Sequence, residues 1–114
     1  MINSRTKGNT YERKLAQEYR ELWFTECVTA RAESKILDDS WVDLAFTDPF
    51  QVQSKCYTNF WSTQIIETLK KMPNNSKYNV VHVKIKNKGE LVAMSKTDYY
   101  ELLQILLKEK IIWT

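Results

Sequence analysis

Residues 41–55, WVDLAFTDPFQVQSK, hold two apolar runs either side of a Thr-Asp-Pro turn, and each run carries one charged residue. Val42, Leu44 and Phe46 alternate with Trp41, Asp43 and Ala45, the period of two that marks a strand with distinct faces. Beyond the turn, Phe50, Val52, Ser54 and Cys56 point one way and Gln51, Gln53, Lys55 and Tyr57 the other. With Thr47, Asp48 and Pro49 as the loop and Phe46 opposite Phe50, the runs form a hairpin that sets Leu44 against Val52 and Asp43 against Gln53. Lys55 lies two residues further along the same face, so Asp43, Gln53 and Lys55 converge. A one-residue slip in register would undo the pairing. Strand interiors disfavour Asp, and a buried charge is costly unless paired, hydrogen-bonded or metal-bound, so the placement asks for a chemical explanation.

Upstream, Tyr11, Leu15, Tyr19 and Leu22 recur at helical spacing, predicting a helix from about Thr10 to Trp23 with Asn9 as N-cap. ECVTARA (26–32) reads as a strand and ESKILDDS (33–40) as a loop. Downstream, a helix begins near Ser62, carries Ile65, Ile66, Leu69 and Met72 on one side and stops at Pro73. KYNVVHVKIK (77–86) and ELVAM (90–94) are strands joined by an Asn87-Lys88-Gly89 turn. Ser95 and Asp98 form a capping-box pattern that opens a last helix through YYELLQILLK (99–108). The order αβββαββα predicts an α/β fold, a mixed central sheet flanked by helices.

At 114 residues, 43% hydrophobic and 12% aromatic, the chain suits one domain over 1–114, and nothing marks a linker or repeat. MINSRTKGNTYERK (1–14) has no apolar stretch of signal-peptide length and no run is long enough to span a bilayer, so the expectation is a cytoplasmic protein. Cys27 and Cys56 read as free, buried thiols, and a single histidine, His82, leaves no Cys/His zinc site. His82 itself reads as a strand surface residue, and Phe60 and Trp61 as core. Net charge is +3, with cations concentrated at Arg5, Lys7, Arg13 and Lys14 and at Lys84, Lys86 and Lys88. Such clusters bind phosphate backbones, although a solvated face is the commoner role for any one of them.

Counted from Tyr11 on a helical wheel, the apolar residues fill an arc of roughly 140° and Glu12 falls inside it at about 100°. With Asn9 as cap, Glu12 occupies the third helical position, where a capping-box glutamate reaches back to the cap's amide. Asp43 alone could be a turn or salt-bridge residue, and Lys55 could extend its stem from a strand edge. Together, a helix carboxylate, a strand carboxylate and a lysine facing one point are the parts for divalent-metal phosphodiester cleavage.

The order Glu12, Asp43, then QVQSK (51–55) resembles the PD-(D/E)XK nuclease superfamily, and the surrounding sequence is similar to its Holliday-junction-resolvase-like branch. There an SRxKGxxxER segment precedes the catalytic hairpin, and Ser4, Arg5, Lys7, Gly8, Glu12 and Arg13 stand at those places. The likeness continues through TARAES (29–34), DDSWVD (38–43) and VVHVKIKNKGELVAMSKTDYYELL (80–103). It implies a restriction-endonuclease-like core and a Mg²⁺- or Mn²⁺-dependent DNA endonuclease acting on branched DNA as a homodimer. Glu12 and Asp43 would be metal-site acids, with Gln53 and the Ser54 carbonyl as further ligands and Lys55 as the catalytic ammonium. Arg5, Lys7 and Arg13 would grip DNA phosphates, and Arg31 with Ser34 would face the substrate. Two departures stand out: the family usually has Glu at the place of Gln53, and small residues or Pro where Trp41 and Val42 precede Asp43. Asp38 or Asp39 could supply the missing negative charge. Gln53 keeps open a nuclease-fold module that binds DNA or protein without cutting, and a purely structural subunit is the third class. Leu106, Leu107, Ile111, Ile112 and Trp113 at the C-terminal end form a candidate dimer surface.

Overall fold

The computed structural model describes residues 4–34, 39–59 and 62–113, excluding the side chains of Ser4 and Arg5. The first helix, α1, runs over Ser4–Glu21, so it begins well before the expected cap. Asn9 is a mid-helix residue whose Oδ1 accepts a hydrogen bond from the Arg31 guanidinium, and the capping-box role of Glu12 is thereby ruled out. At the other end the chain closes by a Schellman motif: Trp23 N–H donates to Arg20 O (3.2 Å) and Phe24 N–H to Tyr19 O (3.0 Å), with Trp23 at φ +89°. This stop at Glu21 leaves Leu22, expected on the buried stripe, exposed.

The expected strand over 26–32 shrinks to β1 (Val28–Thr29). Thr29 Oγ1 accepts from Ala32 N–H at 3.3 Å and caps a single helical turn, α2 (Ala30–Glu33), which the sequence pattern did not reveal. β2 (Leu44–Ala45) pairs antiparallel with β1, not with the strand after it. The cause lies at Phe46, whose φ of +63° turns its ring towards solvent. Thr47 then takes the place opposite Phe50: Phe50 N–H donates to Thr47 O at 2.8 Å and the Thr47 hydroxyl donates to Phe50 O at 2.7 Å. The expected Phe46–Phe50 and Asp43–Gln53 pairings are therefore both absent, and no ladder forms between the two segments. One main-chain bond, Asp43 N–H to Val52 O at 2.7 Å, ties this segment to the next strand.

That strand, β3 (Phe50–Tyr57), lies parallel to β4 (Tyr78–Ile85), and α3 (Ser62–Lys71) makes the crossover between them. β5 (Gly89–Met94) pairs antiparallel with β4 through a tight turn with Asn87 at φ +61° and Gly89 at φ +145°. Side chains alternate across β3 as the sequence predicts. Val52 and Val80 pack with Leu44 against Tyr11, Leu15 and Ala16 of α1, while Val81 and Val83 pack against Ile65 of α3 and Met72 just beyond it. Ile66, expected on the inner side of α3, is exposed. Ser95 caps the last helix, α4 (Lys96–Lys108), its hydroxyl accepting from Asp98 N–H at 3.1 Å, and no residue of α4 is buried.

The architecture is therefore mixed α/β, a three-stranded mixed sheet between α1 and α3 with a separate two-residue ladder of β1 and β2. Its order is αβαββαββα; the turn at α2 is the addition to the expected order. Among the described residues no helix is long and apolar enough to cross a membrane. Both cysteines are free, but only Cys27 is buried; Cys56 is exposed. Asp38, Phe60 and Trp61 lie outside the described residues.

Candidate functional site

β3 is an edge strand, so its outward main-chain groups need partners that no neighbouring strand supplies. Asp43 supplies them. Its N–H meets Val52 O, and two residues on its Oδ2 accepts from Ser54 N–H at 2.8 Å and from the Ser54 hydroxyl at 3.1 Å. The carboxylate thus replaces a ladder acceptor at the point where the chain leaves the edge of β3. N–H and C=O of one strand residue leave on the same side, so the Ser54 carbonyl faces this edge too.

Gln53 is 5% exposed, and its Oε1 accepts from Ser54 N–H at 3.1 Å, a bond shared with Asp43. Lys55 is half-buried, with Nζ 5.2 Å from the centre of the Trp41 ring. Lys71, at the end of α3, brings a second ammonium to 4.9 Å from the same ring. Trp41 sits at φ +66°, a left-handed conformation that a bulky residue rarely takes. Glu12 enters from α1, its side chain 13% exposed, and its Oε2 pairs with the Arg31 guanidinium, whose other arm reaches Asn9.

These residues surround an open cleft of about 320 Å³ lined by Glu12, Asp39, Trp41, Asp43, Gln53, Ser54 and Lys55. Asp43 and Gln53 meet there through their shared hold on Ser54 N–H, not through the cross-strand pairing expected from the sequence. Of the residues expected to meet DNA, Arg31 reaches the cleft through Glu12, while Lys7, Arg13 and Ser34 lie outside its lining. Lys7 lines a different groove, Arg13 is exposed on α1, and Ser34 ends α2 with its N–H on Ala30 O at 2.8 Å. Arg31 spends its guanidinium on Glu12 and Asn9, and the Arg5 side chain is outside the described residues.

Two carboxylates, an amide oxygen and a main-chain carbonyl are all hard oxygen donors, the set that Mg²⁺ or Mn²⁺ takes. Among the described residues no three His, Cys, Asp or Glu side chains gather as a metal site would require. A cation in the cleft would therefore draw on Gln53 and main-chain oxygen beside Asp43 and Glu12, and would compete with Arg31 for Glu12. In donor type the residues fit such an ion.

His82, expected at the surface, is instead packed against Tyr19, its Nε2 2.8 Å from the Tyr19 hydroxyl and the rings 5.5 Å apart. Burial lowers the imidazole below its ordinary value, with Glu90 opposing the shift, and burial pushes the Tyr19 hydroxyl up to about 12. Trp41 is the cleft residue that sequence reading passed over as a mere neighbour of Asp43. Its contact with Lys55 follows from a left-handed backbone that alternation cannot signal. Compared with known protein families, with curated proteins and with solved structures, the chain matches none.

Proposed function

We propose that the chain is a divalent-metal-dependent endonuclease that hydrolyses phosphodiester bonds of DNA, with a branched duplex such as a four-way junction as its preferred substrate. The observation that carries this reading is the gathering of Glu12, Asp43, Gln53, Ser54 and Lys55, from α1 and from both segments at the β3 edge, around one open cleft. The parallel β3–α3–β4 crossover, with α1 on the opposite face, supports the restriction-endonuclease-like core that the sequence resemblance implies.

Glu12, Asp43, the Gln53 amide oxygen and the Ser54 carbonyl would hold Mg²⁺ or Mn²⁺, which would supply Lewis-acid polarisation of a phosphoryl oxygen and a more acidic water. The protein's own groups do the rest. The Lys55 ammonium, steadied by the Trp41 ring, offsets negative charge growing on the phosphoryl oxygens. Asp43 keeps the β3 edge in shape while presenting its carboxylate, and the Arg31 guanidinium, released from Glu12, is suited to grip a phosphate with two parallel hydrogen bonds. Symmetrical incision of a junction needs two such clefts. A two-fold dimer joins the proposal for that reason, with the exposed Ile105, Leu107, Ile111, Ile112 and Trp113 as its contact surface.

Two observations favour a second reading, a nuclease-fold module that holds DNA or a protein partner without cutting. Gln53 is neutral, and Arg31 already balances one of the carboxylates. Incubation with labelled junction, duplex and single-stranded DNA, in Mg²⁺, in Mn²⁺ and in EDTA, separates the two. Metal-dependent products support the nuclease; retention of DNA without products in either metal supports the module. Sedimentation equilibrium with and without junction DNA tests the dimer, and a monomer in both conditions would favour a nicking enzyme or the module.

A further inference from the structure

α1 is flanked by a second depression, larger than the first, of about 490 Å³. At about 100° per residue, Lys7, Thr10 and Lys14 fall on the side of Tyr11 opposite to Glu12. These three, with Lys84, Lys86 and Asn87 from the end of β4 and its turn, wall a groove floored by Tyr11 and Cys56, with Tyr57 and Thr58 where β3 ends. It lies outside the carboxyl ends of two adjacent parallel strands, β3 and β4, where open α/β sheets commonly take ligands.

Cations predominate there: Lys7, Lys14, Lys84 and Lys86 line the groove, and Glu90 is the carboxylate that reaches Lys14 and Tyr11. Lys14 lies 3.5 Å from Glu90, a contact between half-exposed chains that is worth little, while among the described residues Lys7, Lys84 and Lys86 have no ion-pair partner. Lys84 Nζ is 5.9 Å from the centre of the Tyr11 ring, which places that ammonium over the floor. The Tyr11 hydroxyl is enclosed, and burial together with the nearby Glu90 carboxylate raises it above its ordinary value.

We propose that this groove binds phosphate esters of a nucleic-acid strand running on from the β3 edge. Lys84, Lys86 and Lys14 are the anchoring cations. From Ser54 to Tyr57 the strand covers ~10 Å at ~3.3 Å per residue, about the rise of three nucleotides at ~3.4 Å each. Only the naming of a strand rests on the nuclease reading; the anion site stands on the groove itself.

The test is anisotropy of a fluorescein-labelled oligonucleotide in EDTA, where cleavage is silent. Four proteins are compared: the unmodified chain, Lys84→Glu/Lys86→Glu, the neutral Lys84→Gln/Lys86→Gln, and Lys70→Glu/Lys108→Glu as a charge-matched control away from the groove. The groove predicts about tenfold or greater weakening for the reversal and a fall of roughly 1.4–1.8 in the salt slope for both groove pairs, two phosphates at ~0.7–0.9 each. The control should show a smaller loss and an unaltered slope. Amide shifts of Tyr57, Lys84 and Asn87 on adding inorganic phosphate or a mononucleotide identify the source of the ester. Weaker saturation than by the oligonucleotide assigns the groove to a strand. Tighter binding of the mononucleotide overturns the strand in favour of a free nucleotide, and absence of shifts with all three probes overturns the site. If the groove pairs match the control in affinity and slope while the protein cleaves DNA, the groove is wrong and the nuclease stands. If the oligonucleotide binds as predicted but no metal yields products, the groove stands and the nuclease falls.

Discussion

The two outer edges of the three-stranded sheet are finished in opposite ways. Beside β3 the chain turns back so that Asp43 meets both a carbonyl and an N–H of the edge, and the buried neighbours, Gln53 and Ser54, are polar. Beside β5 no strand pairs among the described residues; Leu91 and Val92 are exposed, and the following helix buries none of its residues. Stability alone favours the reverse, since each buried polar group must be hydrogen-bonded or costs about 1–3 kcal/mol. Edge strands are also usually protected by charge, and Glu90 is the single charged residue of β5. The polar edge is therefore where the proposed chemistry is to be sought, and the apolar edge with α4 is where the proposed dimer contact would lie.

The strongest way to break this contrast is Asp43→Asn. The amide oxygen can still accept from Ser54 N–H, so the fold should persist while metal-dependent cleavage falls at least about a hundredfold. Undiminished cleavage in single-turnover assays would move the active site away from the β3 edge. Gln53→Glu should act in the other direction. A carboxylate keeps the bond from Ser54 N–H and attracts a cation more strongly, so the metal concentration for half-maximal cleavage should drop several-fold. An unchanged titration would remove Gln53 from the ligands.

Away from both edges, His82 gives a pH signature. Its folded value is depressed by burial, so below the ordinary value of 6.5 the unfolded chain binds the extra proton and stability is lost as pH falls. Urea unfolding at pH 7.5 and pH 5.5 should show the lower midpoint at pH 5.5, and His82→Gln should shrink the difference. The smallest effect belongs to the apolar end. Trp113 is 81% exposed, and Trp113→Ser should change the monomer's unfolding free energy by less than about 0.5 kcal/mol. A loss of several times that amount would mean that the tail is covered in the monomer.

Local chemistry was the legible part of the sequence. Alternation placed Gln53 and Lys55 on one face of β3 with Val52 and Ser54 on the other, and the Ser95–Asp98 cap and the Asn87–Gly89 turn follow from residue types with specific backbone preferences. Failures arose where backbone conformation departs from residue type. Phe46, Trp41 and Trp23 all take positive φ, which nothing about a large aromatic announces, and Phe46 lies at the point where the expected hairpin would have begun its pairing. Asn9 favours caps by propensity, yet in a helix that starts at Ser4 it is held by Arg31, a contact 22 residues away in sequence. The same guanidinium pairs with Glu12, a long-range bond that no local pattern encodes. Asp43 and Gln53 were expected to meet across a ladder; they meet because both oxygens need Ser54 N–H, a relation set by the strand edge and not by register.

The most direct test of the β3 edge as a metal-dependent site is paramagnetic broadening of amide resonances by substoichiometric Mn²⁺. The cleft predicts selective loss of signal at Glu12, Asp43, Gln53, Ser54 and Lys55, reversed by excess Mg²⁺, with Glu90 to Met94 of the opposite edge unaffected. Broadening confined to other residues, or none at these five at any Mn²⁺ concentration that leaves the protein folded, would contradict it.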